Sequence, residues 1–537
     1  MFHVRTTKTA TGATAVQIVR YRYRKMIVLK HLGSAYSKED LASLKQLANQ
    51  WIERKTAQPR LFTDVEEKRS LPLVSIDKLR NLGFRNMFAY EILTKLLSMF
   101  HLSDDKYQLL LDLVLIRIIQ PASKLESFVL LEELFAIHHE RTEYYRLLPI
   151  IVGVKEAIEK GVVSVAKKHY FFDFSMVFYD VTTLYYESFT EDADTIDEEG
   201  NMIEKGVRKE GHGKEIKPGQ PIIVIGLMVT KEGFPVSYEV YEGNTFEGDT
   251  FIPSILSFQK KHSIKTLTIV ADAAMISLEN VEKLKKEKLS YIVGARIANL
   301  KQPEMVQIHQ ELINHNQTAE ELKIIDGKSI QIQTEKGLLI CDFSIKRYLK
   351  DKREMEKQII RAENLIAKNT GGKQAKFLML KQTEKITDKK KKGDKKEKAY
   401  EINTKLIEKT KLLLGIKGYY TNLFEKDEKI TNTDIINHYH NLWHVEKAFR
   451  IAKSDLQMRP IYHFKRQTIE AHILICFMAL AICKYMELKT NKSTKVIIKL
   501  LKQVTDARIL NTLTNEEIIL RSEISTETKD LVEKLSL

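Results

Sequence analysis

The sequence predicts a mixed α/β fold built around one sheet, and three observations predict it. Between Ser175 and Tyr241, three segments rich in β-branched and aromatic residues are separated by turn signals. From Thr250 to Gly294, helical periods alternate with short apolar runs. From Asn432 onward the chain is helical and amphipathic.

Taken in order, residues 1–60 form a basic arm. Thr14 to Leu29 alternates Val, Ile and Tyr with Arg and Lys, as a strand does. Ser37 to Glu53 is helical, with Leu41, Leu44, Leu47 and Trp51 on one stripe. Residues 61–165 read as helices, with Tyr107 to Ile119 leucine-rich and punctuated by Gln120-Pro121. This stretch has room for a DNA-binding unit but no clear helix-turn-helix signature. Residues 166–300 then change period. SMVFYDVTTLYY (Ser175 to Tyr186) and PIIVIGLMVT (Pro221 to Thr230) are strands, Lys231-Glu232-Gly233 is a turn, and Phe234 to Tyr241 is a third strand. A helix (Thr250 to His262), a strand (Thr266 to Ala271), a helix (Ser277 to Lys288) and a strand (Tyr291 to Gly294) follow. Three strands and then α-β-α-β is the order of an RNase H-like domain, a mixed five-stranded sheet with flanking helices. Its last helices are missing at this point. Residues 301–430 break the pattern with a charged helix (Ser344 to Lys368), a joint at Thr370-Gly371-Gly372, a lysine run (Lys389 to Lys398) and the strand-like LLLGIKGYYTNLF. They read as an insertion domain, and residues 431–537 as the second part of the catalytic domain with C-terminal helices.

Composition narrows the function classes. The 537 residues carry 86 Lys+Arg against 71 Asp+Glu, a formal net charge of +15, which favours an anionic partner. Three cysteines exclude a disulfide framework and a four-cysteine zinc site. Cys476 and Cys483, seven apart, read as small buried hydrophobes. No apolar region follows the basic N-terminus, and the longest apolar run, Ala471 to Cys483, is too short to span a bilayer. The chain is expected to be intracellular, cytoplasmic and without a membrane partner.

Two acids stand out by their surroundings. Asp180 interrupts an apolar, aromatic strand, and Asp272 ends the strand TLTIVAD. A carboxylate in such a place is costly unless paired, hydrogen-bonded or bound to metal. Asp272 also has the position of an N-cap for the following helix. A third acid lies in YHNLWHVEKAFRIAK. Read as one helix, Tyr439, Trp443, Glu446, Arg450 and Lys453 follow steps of four and three and share a face. A face carrying aromatics, a carboxylate and cations suits metal and phosphate together; an ordinary Glu446–Arg450 pair is the alternative.

With these residues in view, the sequence resembles the DDE transposases of bacterial insertion sequences in the IS4-like superfamily, most of all the IS1634-type group. Tyr439, Glu446 and Lys453 match the spacing of that superfamily's signature around its third acid. Asp180 in FYDVTTLYYE and Asp272 in IVADAAM match the surroundings of the first two. The segments GLMVTKEGFPVSYEVYEGNT and YIVGARI are similar to the family's strands. The resemblance covers roughly 174–297 and 432–485. It implies that Asp180, Asp272 and Glu446 ligate two Mg2+ ions, with Mn2+ able to substitute. These sit about 3.5–4 Å apart and serve DNA strand cleavage followed by strand transfer. It implies that Tyr439, Trp443, Lys447, Arg450 and Lys453 hold DNA. Terminal inverted repeats and target DNA are the implied partners, with a homodimer formed on DNA. One position departs: the signature's arginine falls at Leu442, and His444 or Lys447 stand nearest to replace it.

Two other readings use the same residues: a metal-dependent nuclease of RNase H-like fold without strand transfer, and a domesticated protein that only binds DNA. The charge distribution bears on the choice. Residues 1–60 hold 12 basic and 3 acidic residues, 61–300 hold 29 and 36, 301–430 hold 29 and 20, and 431–537 hold 16 and 12. The excess sits in the N-terminal arm and the insertion, beside a net acidic segment that suits metal ions.

Overall fold

The computed structural model describes residues 2–23, 25–56, 76–102, 104–197, 199–211, 218–275, 277–314, 318–368, 375–380, 400–425 and 429–535. The joint at 370–372 and the lysine run at 389–398 lie outside them. The chain divides into two compact units that cut across the five expected segments. One comprises Met1–Ser98, Asp104–Tyr145 and Met486–Leu537; the other comprises Met99–Ser103 and Arg146–Tyr485.

The first unit opens with a three-stranded antiparallel sheet, Phe2–Lys8, Thr14–Arg22 and Lys25–Ala35. The single alternating run expected from Thr14 to Leu29 is two strands, because the chain reverses at Tyr23 with φ 50°. The helix Lys38–Thr56 lays its Leu stripe on this sheet, where Leu44 and Ala48 pack with Val16, Ile18 and Leu32, and Trp51 meets Phe2 edge-on at 5.6 Å. The last segment of the chain returns to this unit rather than to the catalytic sheet. Its strand Asp506–Asn511 pairs with both its hairpin partner Glu516–Arg521 and the distant Leu79–Arg85, so the two ends of the chain share one sheet. Helices Met87–Leu97, Gln108–Ile119, Lys124–Phe135, Thr494–Gln503 and Thr526–Lys534 also belong to this unit.

The second unit holds the mixed sheet. Its strands are β1 (Met176–Tyr185), β2 (Pro221–Val229), β3 (Pro235–Glu242), β4 (Thr268–Ala271) and β5 (Ser290–Ala295). Helix α1 (Glu247–His262) precedes β4, and α2 (Leu278–Lys286) precedes β5. The spatial order is β3-β2-β1-β4-β5. The first three strands are antiparallel, and β4 runs parallel to both β1 and β5.

The sheet does not stop at the five strands expected. Residues 301–430 supply β6 (Ser329–Thr334), β7 (Gly337–Phe343) and β8 (Ile416–Thr421), which continue it in the order β5-β8-β7-β6. The reason is the outer edge of β5: Tyr291, Ile292 and Val293 are fully buried, and an open apolar edge is a liability that pairing removes. Residues 301–430 therefore extend the mixed sheet, and their helix α3 (Ile345–Ala367) lies between β7 and β8 in sequence.

After β8 come the helices α4 (Asn432–His440), α5 (Trp443–Arg450) and α6 (Arg466–Thr490). The expected apolar run at 471–483 sits inside α6, whose 25 residues are long and apolar enough to cross a membrane by length and composition. In this fold 94% of its most apolar window is buried inside the protein, and Phe477 packs on Tyr238 of β3 at 4.8 Å.

Candidate active site

Register brings the first two acids together. Residues 176–179 of β1 pair in parallel with 268–271 of β4, so Asp180 and Asp272 each follow the last matched pair, Tyr179 and Ala271. The neighbouring Tyr179 faces the other side, where its hydroxyl donates to Thr250 Oγ1 of α1 at 2.8 Å. Asp272 is not the cap of α2, because Ser277 takes that role and accepts from Asn280 N at 3.0 Å. Asp272 Oδ1 instead accepts from Ala273 N at 2.6 Å and from the Tyr439 hydroxyl at 3.2 Å.

Glu446 arrives on α5, which packs against β1 and β2. The hairpin turn between β2 and β3 helps to seat this helix. Gly233 has φ +82°, and a Cβ there would stand 3.0 Å from His444 Cβ. Asp180 is half-buried, and its pKa is pushed up to about 7. Burial is the main cause; the negative charges of Asp272, Glu446 and Glu247 add to it, against a lowering hydrogen bond from the Val181 amide. Asp180 therefore feels the negative charges of the other two expected acids and of Glu247 in the first turn of α1.

The helix that carries Glu446 is broken where the sequence suggested continuity. A tight turn at Asn441-Leu442, closed by Leu442 N donating to Tyr439 O at 3.0 Å, separates α4 from α5. Tyr439 is consequently rotated inward and buried, while Trp443, Glu446 and Arg450 are exposed. Tyr439 thus leaves the expected face, which Trp443, Glu446 and Arg450 still share on α5. Glu446 and Arg450 form no ion pair among the described residues. Lys447 is half-buried on α5, and Lys453 is half-buried in a π-helical turn, Ile451–Asp455. Leu442 is buried and its side chain faces the core. His444 stacks on Trp443 with centroids 3.9 Å apart, and its pKa is lowered to about 4 by burial and then by Lys484 and Lys447. A neutral imidazole in that position does not replace a phosphate-binding arginine.

The fold adds residues that the motif did not name. Lys417 on β8 holds its Nζ 4.3 Å from the centre of the Tyr439 ring and 5.6 Å from that of Tyr419. Burial and then Arg347 depress its pKa, while Asp342, Asp272 and Glu446 pull it upward. Gly294 on β5 makes room for Tyr439: a Cβ at 294 would stand 2.5 Å from its hydroxyl and 3.1 Å from Ala273 N. Lys417 had a legible signal, since a charge inside the apolar run GIKGYY meets the same criterion that singled out Asp180.

A sequence profile described as the transposase DDE domain matches residues 177–482, more than half the chain, a range that contains the three expected acids. The chain belongs to the transposase DDE domain family. No curated protein matches this transposase. Among solved structures it is similar to a piggyBac transposase in a synaptic complex with hairpin DNA, with 9% identity, 79% of this chain and 80% of that chain covered, and a TM-score of 0.35. It is also similar to the Mos1 transposase in a paired-end complex with the left transposon end, with 12% identity, 46% of this chain and 66% of that chain covered, and a TM-score of 0.15.

DDE transposases use divalent metals, which raises the question of fit. Among the described residues no group of three or more His, Cys, Asp or Glu is gathered closely enough to hold an ion by itself. In kind the donors fit: Asp180, Asp272 and Glu446 offer only carboxylate oxygens, the ligands of hard cations, and the repulsion that Asp180 feels from the other two is what a cation relieves.

Proposed function

We propose that the protein is the transposase of a bacterial insertion sequence of the IS4-like superfamily, nearest the IS1634-type group, with an RNase H-like catalytic domain. It binds the terminal inverted repeats of its element and carries out cleavage and strand transfer on double-stranded DNA, as a homodimer formed on that DNA. It works in the cytoplasm, on the nucleoid, and engages no membrane. The observation that supports this reading is the register that sets Asp180 beside Asp272, with the charge of Glu446 acting on Asp180, within a DDE-domain match that spans all three positions.

Asp180, Asp272 and Glu446 would hold two Mg2+ ions, with phosphate oxygens and water completing the ligands. When bound, such ions stabilise charge on the attacking and leaving oxygens of an in-line displacement. In cleavage, water attacks the phosphorus, the P–O3′ bond breaks, and the 3′ oxygen leaves as a hydroxyl with the proton that water gives up. In strand transfer that hydroxyl attacks a target phosphodiester and displaces the target's own 3′ oxygen. One phosphodiester is made for each broken, so no further energy source is required. Tyr439 orients Asp272 through its hydroxyl. Lys417 would bring a positive charge near Asp272 and Glu446, and Trp443, Lys447 and Arg450 on α5 would line the DNA path, with Lys453 in the π-helical turn that follows.

The test uses duplexes ending in the inverted repeats that flank the gene, intact and pre-cleaved, with Mg2+. The wild type cleaves the first and joins the second to target DNA. Asp180→Asn, Asp272→Asn and Glu446→Gln each abolish both reactions and still bind the end. Cleavage without joining identifies a nuclease, binding without either a domesticated protein. Substantial cleavage by any of the three variants sinks the site.

A further inference from the structure

The N-terminal sheet carries a feature that the catalytic chemistry does not use. Its second and third strands outrun the first. Phe2 pairs with Arg20, and beyond that point Tyr21–Met26 and Arg22–Lys25 continue as a two-stranded ribbon. Two irregularities, after Val16 and after Ile18, interrupt the ladder behind it, and bulges of this kind deepen right-handed twist. The helix Lys38–Thr56 covers the sheet over Val16, Ile18 and Leu32. The ribbon lies past that cover, and every described residue from Arg20 to Leu29 is exposed.

Its chemistry is one-sided. The first 38 residues contain eight Lys or Arg and no Asp or Glu. Side chains two apart share a face, so Arg20 and Arg22 point the same way, and Lys25, paired with Arg22, joins them. Tyr21 is 58% exposed and Tyr23 88%, with the Arg22 guanidinium 5.5 Å over the Tyr23 ring. Lysines on an edge strand guard it against pairing with another chain. That service does not call for two tyrosines held in water. A polyanion with stacked flat groups uses both features, cations for its phosphates and base edges and aromatic surface for its groove wall. The major groove of B-form DNA, about 12 Å wide, admits a two-stranded β-ribbon.

We propose that the ribbon formed by Arg20–Tyr23 and Lys25–Ile27 enters the major groove of double-stranded DNA and is the element that reads the transposon end. Arg20, Arg22 and Lys25 reach phosphates and base edges, and Tyr21 and Tyr23 pack against the groove. The assignment rests on the transposase reading and narrows it, placing recognition on a strand pair rather than on the helices of residues 61–165.

The experiment uses the full chain, an end duplex, and a scrambled duplex of equal length across a salt series. The triple variant Arg20→Ala, Arg22→Ala, Lys25→Ala loses end affinity on the order of 10²-fold. Its plot of log affinity against log salt becomes shallower by roughly two to three. Methylation of end guanines at N7, in the major groove, blocks wild-type binding. Lys8→Ala, at the opposite end of the same sheet, changes the slope by at most about one. Should the triple variant fail to fold, Arg22→Ala alone carries the test, with roughly a tenfold loss expected. Wild-type affinity and slope in a folded triple variant overturn the proposal, and so does unchanged DNA binding with loss of a wild-type dimer, which makes the ribbon an interface between copies. In both cases a wild type that still cleaves leaves the transposase reading intact. A wild type that neither binds nor cleaves any duplex sinks that reading instead.

Discussion

Two groups of acids flank the same sheet and are treated in opposite ways. Glu159, on the helix Lys155–Tyr170, is fully buried. It accepts from Ser237 Oγ at 3.0 Å, Tyr238 N at 3.3 Å and Lys261 Nζ at 2.9 Å. Lys261 and Lys155 each reach Glu239 at 2.8 Å, so two carboxylates meet two ammonium groups. Burial works against the ionised form of Glu239, yet the two lysines outweigh it and hold its pKa below the ordinary value. At the other site Asp272, Glu446 and Glu247 all act on Asp180, and Lys417 is the cation that β8 brings near. The first group is closed and serves the fold. The second is left with negative charge to spare, which costs stability and is useful only if cations arrive.

That contrast can be broken from either side. The largest effect is at Asp180. Asp180→Asn abolishes cleavage, and in the absence of divalent metal it raises the melting temperature at pH 8. The sign follows from the raised pKa: the folded state disfavours the ionised carboxyl, so the penalty is absent where both states are protonated and full above about pH 7. A lower melting temperature at pH 8 would place Asp180 in a satisfied network like that of Glu159. Glu159→Gln is expected to do the reverse, costing about 3 kcal/mol in denaturant unfolding because it leaves Lys261 short of a buried partner. A neutral result would show that Glu239 alone balances both lysines. Lys417→Met sharpens the comparison, with single-turnover cleavage falling by roughly 10²-fold while the fold persists. Unchanged cleavage would remove Lys417 from the site.

The smallest effect is a pH dependence in the other compact unit. His139 Nε2 lies 2.8 Å from Asp112 Oδ2 and Nδ1 3.3 Å from Glu143 Oε2, while Asp112 Oδ1 accepts from Tyr90 and Gln108, both at 2.9 Å. The Asp112 hydrogen bond raises the His139 pKa in spite of burial. A raised histidine contributes stability that is complete below the unfolded value near 6.5 and is lost as pH climbs through the folded one. Wild type should therefore lose stability relative to His139→Gln as pH rises from 6 to 9, by urea midpoint. Parallel curves would refute the ionised pair.

Much of this was legible in the residues themselves. Period-two runs located β1, β2 and β3, and a carboxylate inside SMVFYDVTTLYY or after TLTIV announced itself by the cost of its surroundings. Those are local signals, written in a residue and its neighbours along the chain. What only the tertiary structure decided was who stands beside whom. The parallel register of β1 and β4 sets Asp272 next to Asp180. The turn at Asn441-Leu442 swings Tyr439 away from the Glu446 face and onto Asp272 over Gly294. The edge of β5 recruits β8, and with it Lys417, into a sheet that sequence order had ended at five strands. A burial penalty belongs to one residue and can be read from its context, whereas register and edge pairing are properties of the whole sheet, fixed only when every strand has found its neighbour.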